Sequence, residues 1–136
     1  NLVGGGVGLG QTPQQAFVRE AFEEAGLQPG EVAGARAAAE VITLARDVAE
    51  GHQQEWLYVF DVELQPGREP VNQDGEVAGF QLLPVADAAA LAASGEMTVD
   101  AALVTLDFLL RHGCLPDAQA AALRQALAAL QLAPPR

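Results

Sequence analysis

An α/β fold is the class this 136-residue sequence predicts, and three observations carry the prediction. A capped amphipathic helix lies near the N-terminus. Residues 55–64 then alternate apolar and polar positions, as a strand does. Three further helical stretches close the chain. Half of the residues (50%) are apolar, enough for one domain over residues 1–136 to bury a core.

The elements follow in order. Gln14 to Gly26 reads as a helix, with Thr12 as N-cap, Pro13 at the favoured first position and Gly26 as the stop. At about 100° per residue, Phe17, Val18, Ala21, Phe22 and Ala25 share one face. Gln28 to Gly34, with Pro29-Gly30, predicts a turn, and Ala35 to Ala39 is ambiguous. Val41 to Ala45 predicts a strand. Glu55 to Leu64 predicts another, with Trp56, Tyr58 and Phe60 on one face, where core packing is the expectation and ring stacking on a ligand the minority reading. Gln65 to Gly75 holds two prolines and an Asp-Gly, so it reads as loop, and Val77 to Pro84 as a strand. Val85–Ala93, Val99–Arg111 and Asp117–Leu130 read as helices, making residues 98–131 a helical C-terminal part, and the Pro134-Pro135 end is expected to fray. Asp107, in an otherwise apolar helix, is a candidate hydrogen-bonding residue. His52 and His112 show no ligand spacing and read as surface or helix-end residues.

A formal charge of −11 and a pI near 4.3 argue against polyanionic partners such as nucleic acid polymers or an anionic membrane surface. A small phosphate ester remains compatible if a divalent cation bridges the two negative partners. Cys114 is the single cysteine, so neither an intrachain disulfide nor a cysteine zinc site is expected. No apolar run is long enough to span a bilayer, and no signal-peptide pattern opens the chain; a reducing, cytoplasmic setting is the expectation. The chain enters a glycine loop almost at once, so an upstream segment is expected to precede Asn1.

The chemistry concentrates on the first helix. Glu20, Glu23 and Glu24 fall within an arc of roughly 100° opposite the apolar face. Such like-charge spacing costs a few tenths of a kcal/mol per pair, which a divalent cation would offset. Hard oxygen donors on a rigid helix suit Mg²⁺ or Mn²⁺. A solvated acidic face is the bland alternative. Against it stand the preceding Gly4–Gly10 loop, the adjoining Arg19 and the Gly26-Leu27 stop. The loop lacks a P-loop lysine and the Gly-x-Gly-x-x-Gly register, which rules out those two phosphate cradles.

Read together, Gly5, then Gln11, then Arg19-Glu20-Ala21-Phe22-Glu23-Glu24-Ala25-Gly26-Leu27 resembles the Nudix box, here residues 5–27. Gln11 stands where the family has a glutamate, and Ala21 is smaller than the usual aliphatic residue. The resemblance implies a Nudix-type α/β/α sandwich with a mixed sheet, lacking its first strands in this chain. It makes Glu20, Glu23 and Glu24 the metal ligands, with Glu20 also a water activator, and Arg19 the residue that holds the carboxylates. A backbone carbonyl around Gly4 or Gly5 would complete the metal shell. Gly5, Gly6 and Glu76 would contact substrate, although Glu76 also reads as an ordinary turn glutamate after Asp-Gly. Gln11 retains the capacity to accept a hydrogen bond from Arg19 but brings no charge.

A narrower likeness lies in Trp56–Leu64, Asn72–Val77, Phe80 and Ala101–Gly113. These segments look like the Nudix branch related to thiamin pyrophosphokinase. That branch implies Mg²⁺-dependent hydrolysis of thiamin diphosphate or a damaged analogue. Two alternatives stay open: nucleoside diphosphate derivatives such as ADP-sugars, and a ligand-binding domain weakened by Gln11. Dimers are common in the family, so a homodimer is a further option, with the apolar Val99–Leu110 helix as core or interface.

Overall fold

The computed structural model describes residues 2–130. In chain order its elements are α1 (Pro13–Ala25), α2 (Pro29–Val32), β1 (Arg36–Ala37), β2 (Ile42–Val48), β3 (Gly51–Leu57), β4 (Phe60–Asp61), α3 (Val85–Ser94), α4 (Val99–Arg111) and α5 (Asp117–Leu130). They group into two compact units. One comprises Leu2–Ala38 and Phe60–Leu82; the other comprises Ala39–Val59 and the described residues from Leu83 onward.

The first unit is built around α1, whose two ends are fixed by different means. At the start, Thr12 and Gln15 form a reciprocal capping box: the Gln15 N–H donates to Thr12 Oγ1 at 3.2 Å and the Thr12 N–H to Gln15 Oε1 at 2.8 Å. At the end, Gly26 takes a left-handed φ of 65°, and the N–H groups of Gly26 and Leu27 return to the carbonyls of Phe22 and Ala21. The core of this unit joins Ala21, Ala25, Leu27 and Val32, with Phe17, Val18, Val62 and Leu64 packed against them. Phe17 also stacks on Phe60 at 4.5 Å between ring centroids. Phe22, expected on the same apolar face, is instead exposed. β1 and β4 pair antiparallel, Ala37 opposite Phe60.

In the second unit β2 and β3 form an antiparallel hairpin, Ile42 opposite Leu57 and Val48 opposite Gly51. Its buried end, Ile42 to Leu44, packs with α4 and α5, while α3 packs on α4. Leu109 is the most buried large residue there, and Thr105 satisfies its hydroxyl on the Ala101 carbonyl at 2.8 Å. Asp107 is largely buried and accepts from Arg111 Nε at 2.6 Å, as a hydrogen-bonding role requires. His52 pairs with Asp47 across the hairpin, and His112 caps α4 against the Phe108 ring.

The α/β class is the one the sequence predicts, with fewer strands among the described residues than a full sandwich holds. All strand pairing among the described residues is antiparallel, without the parallel member of a mixed sheet. Three local expectations are corrected. The predicted strand Glu55–Leu64 breaks at Tyr58-Val59, so Trp56 belongs to the β3 ladder and Phe60 to β4, and Tyr58 is exposed. The turn at 28–34 contains the single helical turn α2, capped by Gln28 and Glu31. Residues 77–84 form no strand, because no other strand among the described residues offers them a ladder and Asn72 Nδ2 takes the Val77 carbonyl. The C-terminal helices agree with their predicted spans, whereas Pro134-Pro135 lies outside the described residues. No helix among the described residues is long and apolar enough to cross a membrane.

Candidate active site

The predicted site residues lie in the first unit, on α1 and the two loops that meet its ends. Arg19 is the hub. Its Nη1 lies 2.7 Å from Glu20 Oε1 and 2.9 Å from Glu23 Oε2, and its Nη2 donates to the Gly6 carbonyl at 3.0 Å. The Arg19 pKa is raised, first by the hydrogen bond to Glu23 and then by the charge of Glu20. One guanidinium therefore ties two of the three glutamates to the glycine loop.

At Gly5 the backbone and the end of the Glu20 side chain approach closely. A Cβ built there would sit 2.0 Å from Glu20 Oε1 and 2.2 Å from its Cδ. The Glu20 carboxylate, only 13% exposed, thus lies directly on the Gly5 backbone. The third glutamate reaches the same loop: the Gly4 N–H donates to Glu24 Oε2 at 3.0 Å. Gly5 and Gly6, predicted as substrate contacts, are therefore also the seats of Glu20 and Arg19.

Gln11 does not contact Arg19, contrary to the capacity read from the sequence. Its Oε1 accepts the Gly8 N–H at 3.0 Å, and the Gln11 N–H returns to the Gly8 carbonyl. The side chain closes the glycine loop on itself.

Glu76 lies in the loop that covers the C-terminal end of α1. The Gln73 and Asp74 N–H groups both donate to the Glu23 carbonyl, at 2.8 and 3.2 Å, and the Val71 N–H to the Ala25 carbonyl at 2.9 Å. Asn72 Oδ1 accepts from the N–H groups of Asp74 and Gly75, and Asp74 Oδ1 from that of Glu76 at 2.9 Å. The turn carrying Glu76 is thereby registered against the backbone of Glu23. Arg68 secures the same loop: Nη2 donates to the Gly26 carbonyl at 2.9 Å, Nε and Nη2 bond the Glu31 carboxylate, and Nη1 bonds the Glu69 carbonyl. Arg68 holds the Glu31 carboxyl below the usual carboxylate range, helped by the Gln28 N–H. Sequence reasoning missed Arg68 and gave Asn72 and Gln73 no bonding role; an arginine after Pro66-Gly67 carries no local signal for such long reach.

The donor set consists of hard carboxylate oxygens at i, i+3 and i+4 on one helix, the kind and spacing that suit a divalent cation. Among the described residues the three side chains do not converge as a cluster. Glu20 and Glu23 are turned to Arg19, and Glu24 to the Gly4 N–H. Their chemistry fits the cation, and each carboxylate keeps free lone pairs beyond these bonds.

Comparison with known proteins shows the family. The NUDIX domain model matches residues 1–103. The chain is 36% identical over 117 residues to "Nudix hydrolase 24, chloroplastic" of Arabidopsis thaliana, covering 85% of this chain and 32% of that protein. It is 36% identical over 114 residues to "Nudix hydrolase 20, chloroplastic" of the same plant, covering 83% and 30% respectively. An uncharacterised protein of Saccharomyces cerevisiae is 26% identical over 124 residues, covering 83% of this chain and 36% of its own length. The chain spans about a third of the length of the curated relatives it matches.

Proposed function

Because the chain belongs to the NUDIX domain family, we propose that it is a pyrophosphohydrolase that cleaves the diphosphate bond of a small organic diphosphate. The observation that carries this reading is the Arg19 hub, which ties Glu20 and Glu23 to the glycine loop on a helix that matches the box in order and spacing. Glu20, Glu23 and Glu24 would hold a divalent cation, Mg²⁺ or Mn²⁺. Bound there, the ion would neutralise charge on the phosphate oxygens and acidify an attacking water.

The residues of the chain supply the rest. Glu20, nearly buried on the Gly5 backbone, is the acceptor for the water proton as the water oxygen bonds to phosphorus and the anhydride P–O bond breaks. The electrons of that bond leave with the departing phosphate, giving a monophosphate and inorganic phosphate or a second monophosphate. Arg19 keeps Glu20 and Glu23 oriented, and the loop at Gly4–Gly6 sets the wall against which they stand. Glu76, in the loop at the C-terminal end of α1, is a further carboxylate that would contact substrate.

The substrate we propose is thiamin diphosphate or a damaged thiamin diphosphate, on the likeness of residues 56–64, 72–77 and 101–113 to the thiamin pyrophosphokinase-related branch. We propose a reducing, cytoplasmic setting, with which the single cysteine, Cys114, is compatible. The test is phosphate release with Mg²⁺ or Mn²⁺ from thiamin diphosphate, oxythiamin diphosphate and ADP-ribose. Turnover of the first two above ADP-ribose is expected, and preference for ADP-ribose would overturn the thiamin assignment. Gln11 favours a second reading, a weakened site that retains ligand binding, since it brings no charge and is spent on Gly8. No release across the panel would favour that reading, whereas turnover restored in Gln11→Glu would point instead to a crippled enzyme.

A further inference from the structure

We infer that Arg68 is a positioning residue, which sets the turn carrying Glu76 in register with the metal-binding helix by clamping the 68–77 loop onto the end of α1. The last carbonyls of a helix lack partners within it and must find them elsewhere. Here the carbonyls of Glu23, Ala25 and Gly26 find theirs in one loop, through the N–H groups of Gln73, Asp74 and Val71 and through Arg68 Nη2. Arg68 is the only side chain in that set, and its planar fork also reaches Glu31 on α2. It thus grips the chain at the box's closing Gly26 and again at Glu31 beyond it.

From that anchor the loop runs without slack to the acidic turn. Asn72 bridges forward to the N–H groups of Asp74 and Gly75 and, through Nδ2, to the Val77 carbonyl at 2.8 Å. Glu76 is enclosed between these bonds, with its own N–H on Asp74 Oδ1. A side chain whose supporting contacts fail moves by more than catalysis tolerates, and such supports are commonly worth 10–100-fold in affinity or rate.

Two measurements on the full chain test the role. The first is amide hydrogen exchange. Arg68→Ala is expected to speed exchange at Gln73 and Asp74 at least tenfold, on the order expected when one of a few local anchors is lost, and to leave the middle of α1 unchanged. Equal rates at Gln73 and Asp74 would overturn the clamp. The second is a double-mutant cycle on kcat/KM for the best diphosphate of the panel. Arg68→Ala is expected to cost on the order of 10–100-fold with Glu76 present, and less than about threefold in the Glu76→Gln background, where the positioned group is already gone. Equal losses in both backgrounds would show that Arg68 acts through general stability and would overturn the inference. Arg36→Ala, at a solvent-exposed arginine paired loosely with Glu63 at 3.8 Å, serves as control. If Arg68→Ala does not fold, Arg68→Lys, which cannot span Gly26 and Glu31 together, is read in both assays. The kinetic arm rests on the hydrolase reading. A wild-type chain that turns over no diphosphate defeats that reading, and the exchange arm then decides the clamp by itself.

Discussion

Replacing Gly26 by alanine should be among the most damaging one-carbon changes in the chain, for two separate reasons. Its backbone sits at φ 65°, where an L-residue with a Cβ is strained by roughly 1–2 kcal/mol. The added carbon would also lie 2.7 Å from the Val71 carbonyl oxygen and 2.9 Å from Gln73 Nε2. The first neighbour is backbone, so relief requires the loop to back away from α1. That movement weakens the Val71 to Ala25 and Gln73 to Glu23 hydrogen bonds, each worth about 0.5–1.5 kcal/mol. Together the losses come to about 2–5 kcal/mol of a stability that is itself on the order of 5–15 kcal/mol. Urea unfolding followed by far-UV circular dichroism measures this directly. Gly30→Ala is the matched control, because a Cβ there meets nothing within 4 Å and α2 gains a better helix former. A Gly26→Ala protein within about 0.5 kcal/mol of wild type, the range of ordinary surface substitutions, would refute both the strain and the close-approach argument.

Three further outcomes follow from the geometry. Gly5→Ala should leave the urea midpoint nearly unchanged, since the clashing atoms belong to the mobile end of Glu20. It should nonetheless lower kcat by displacing that carboxylate from Arg19; unchanged kcat would contradict the cradle. Phe17→Ala should cost about 3 kcal/mol by removing a half-buried ring and its stack on Phe60, read as a lowered urea midpoint. Glu31→Gln should destabilise the chain above the ordinary carboxylate pKa, and the difference from wild type should shrink as pH falls through the lowered Glu31 value. Unfolding midpoints at pH 6 and pH 3 check that sign, and a gap that widens in acid would refute it.

What the sequence made legible was mostly what short-range interactions decide. Thr12, Pro13 and Gly26 bracket α1 because caps act within a few residues, and the three glutamates with Arg19 fall on one side by helical geometry alone. The C-terminal helices were legible for the same reason, their apolar positions recurring at helical spacing. Residues 77–84 have the composition of a strand, yet a strand exists only through a partner, and composition does not name one. The break at Tyr58-Val59 separates two ladders that a continuous alternation of Trp56, Tyr58 and Phe60 conceals. Arg68 reaches 42 residues back to Gly26 and 37 back to Glu31, a separation over which no sequence pattern is informative. Gln11 carried a motif position but not its partner, because only the folded loop shows the Gly8 N–H to be the nearer donor.

The unequal fastening of α1 bears on the order in which the molecule matures during synthesis. Its beginning is secured by Thr12 and Gln15, three residues apart, so that end can form as soon as the segment leaves the ribosome. Its end is closed locally by Gly26 and Leu27, but the carbonyls of Glu23, Ala25 and Gly26 wait for Arg68, Val71, Gln73 and Asp74, which are made more than forty residues later. A nascent chain cut before Arg68 would carry the entire box and its glutamates while leaving the carbonyls of Glu23, Ala25 and Gly26 to water. The acidic helix is therefore started early by its own neighbours, and the last of its carbonyls find partners only once residues far outside the box have been translated.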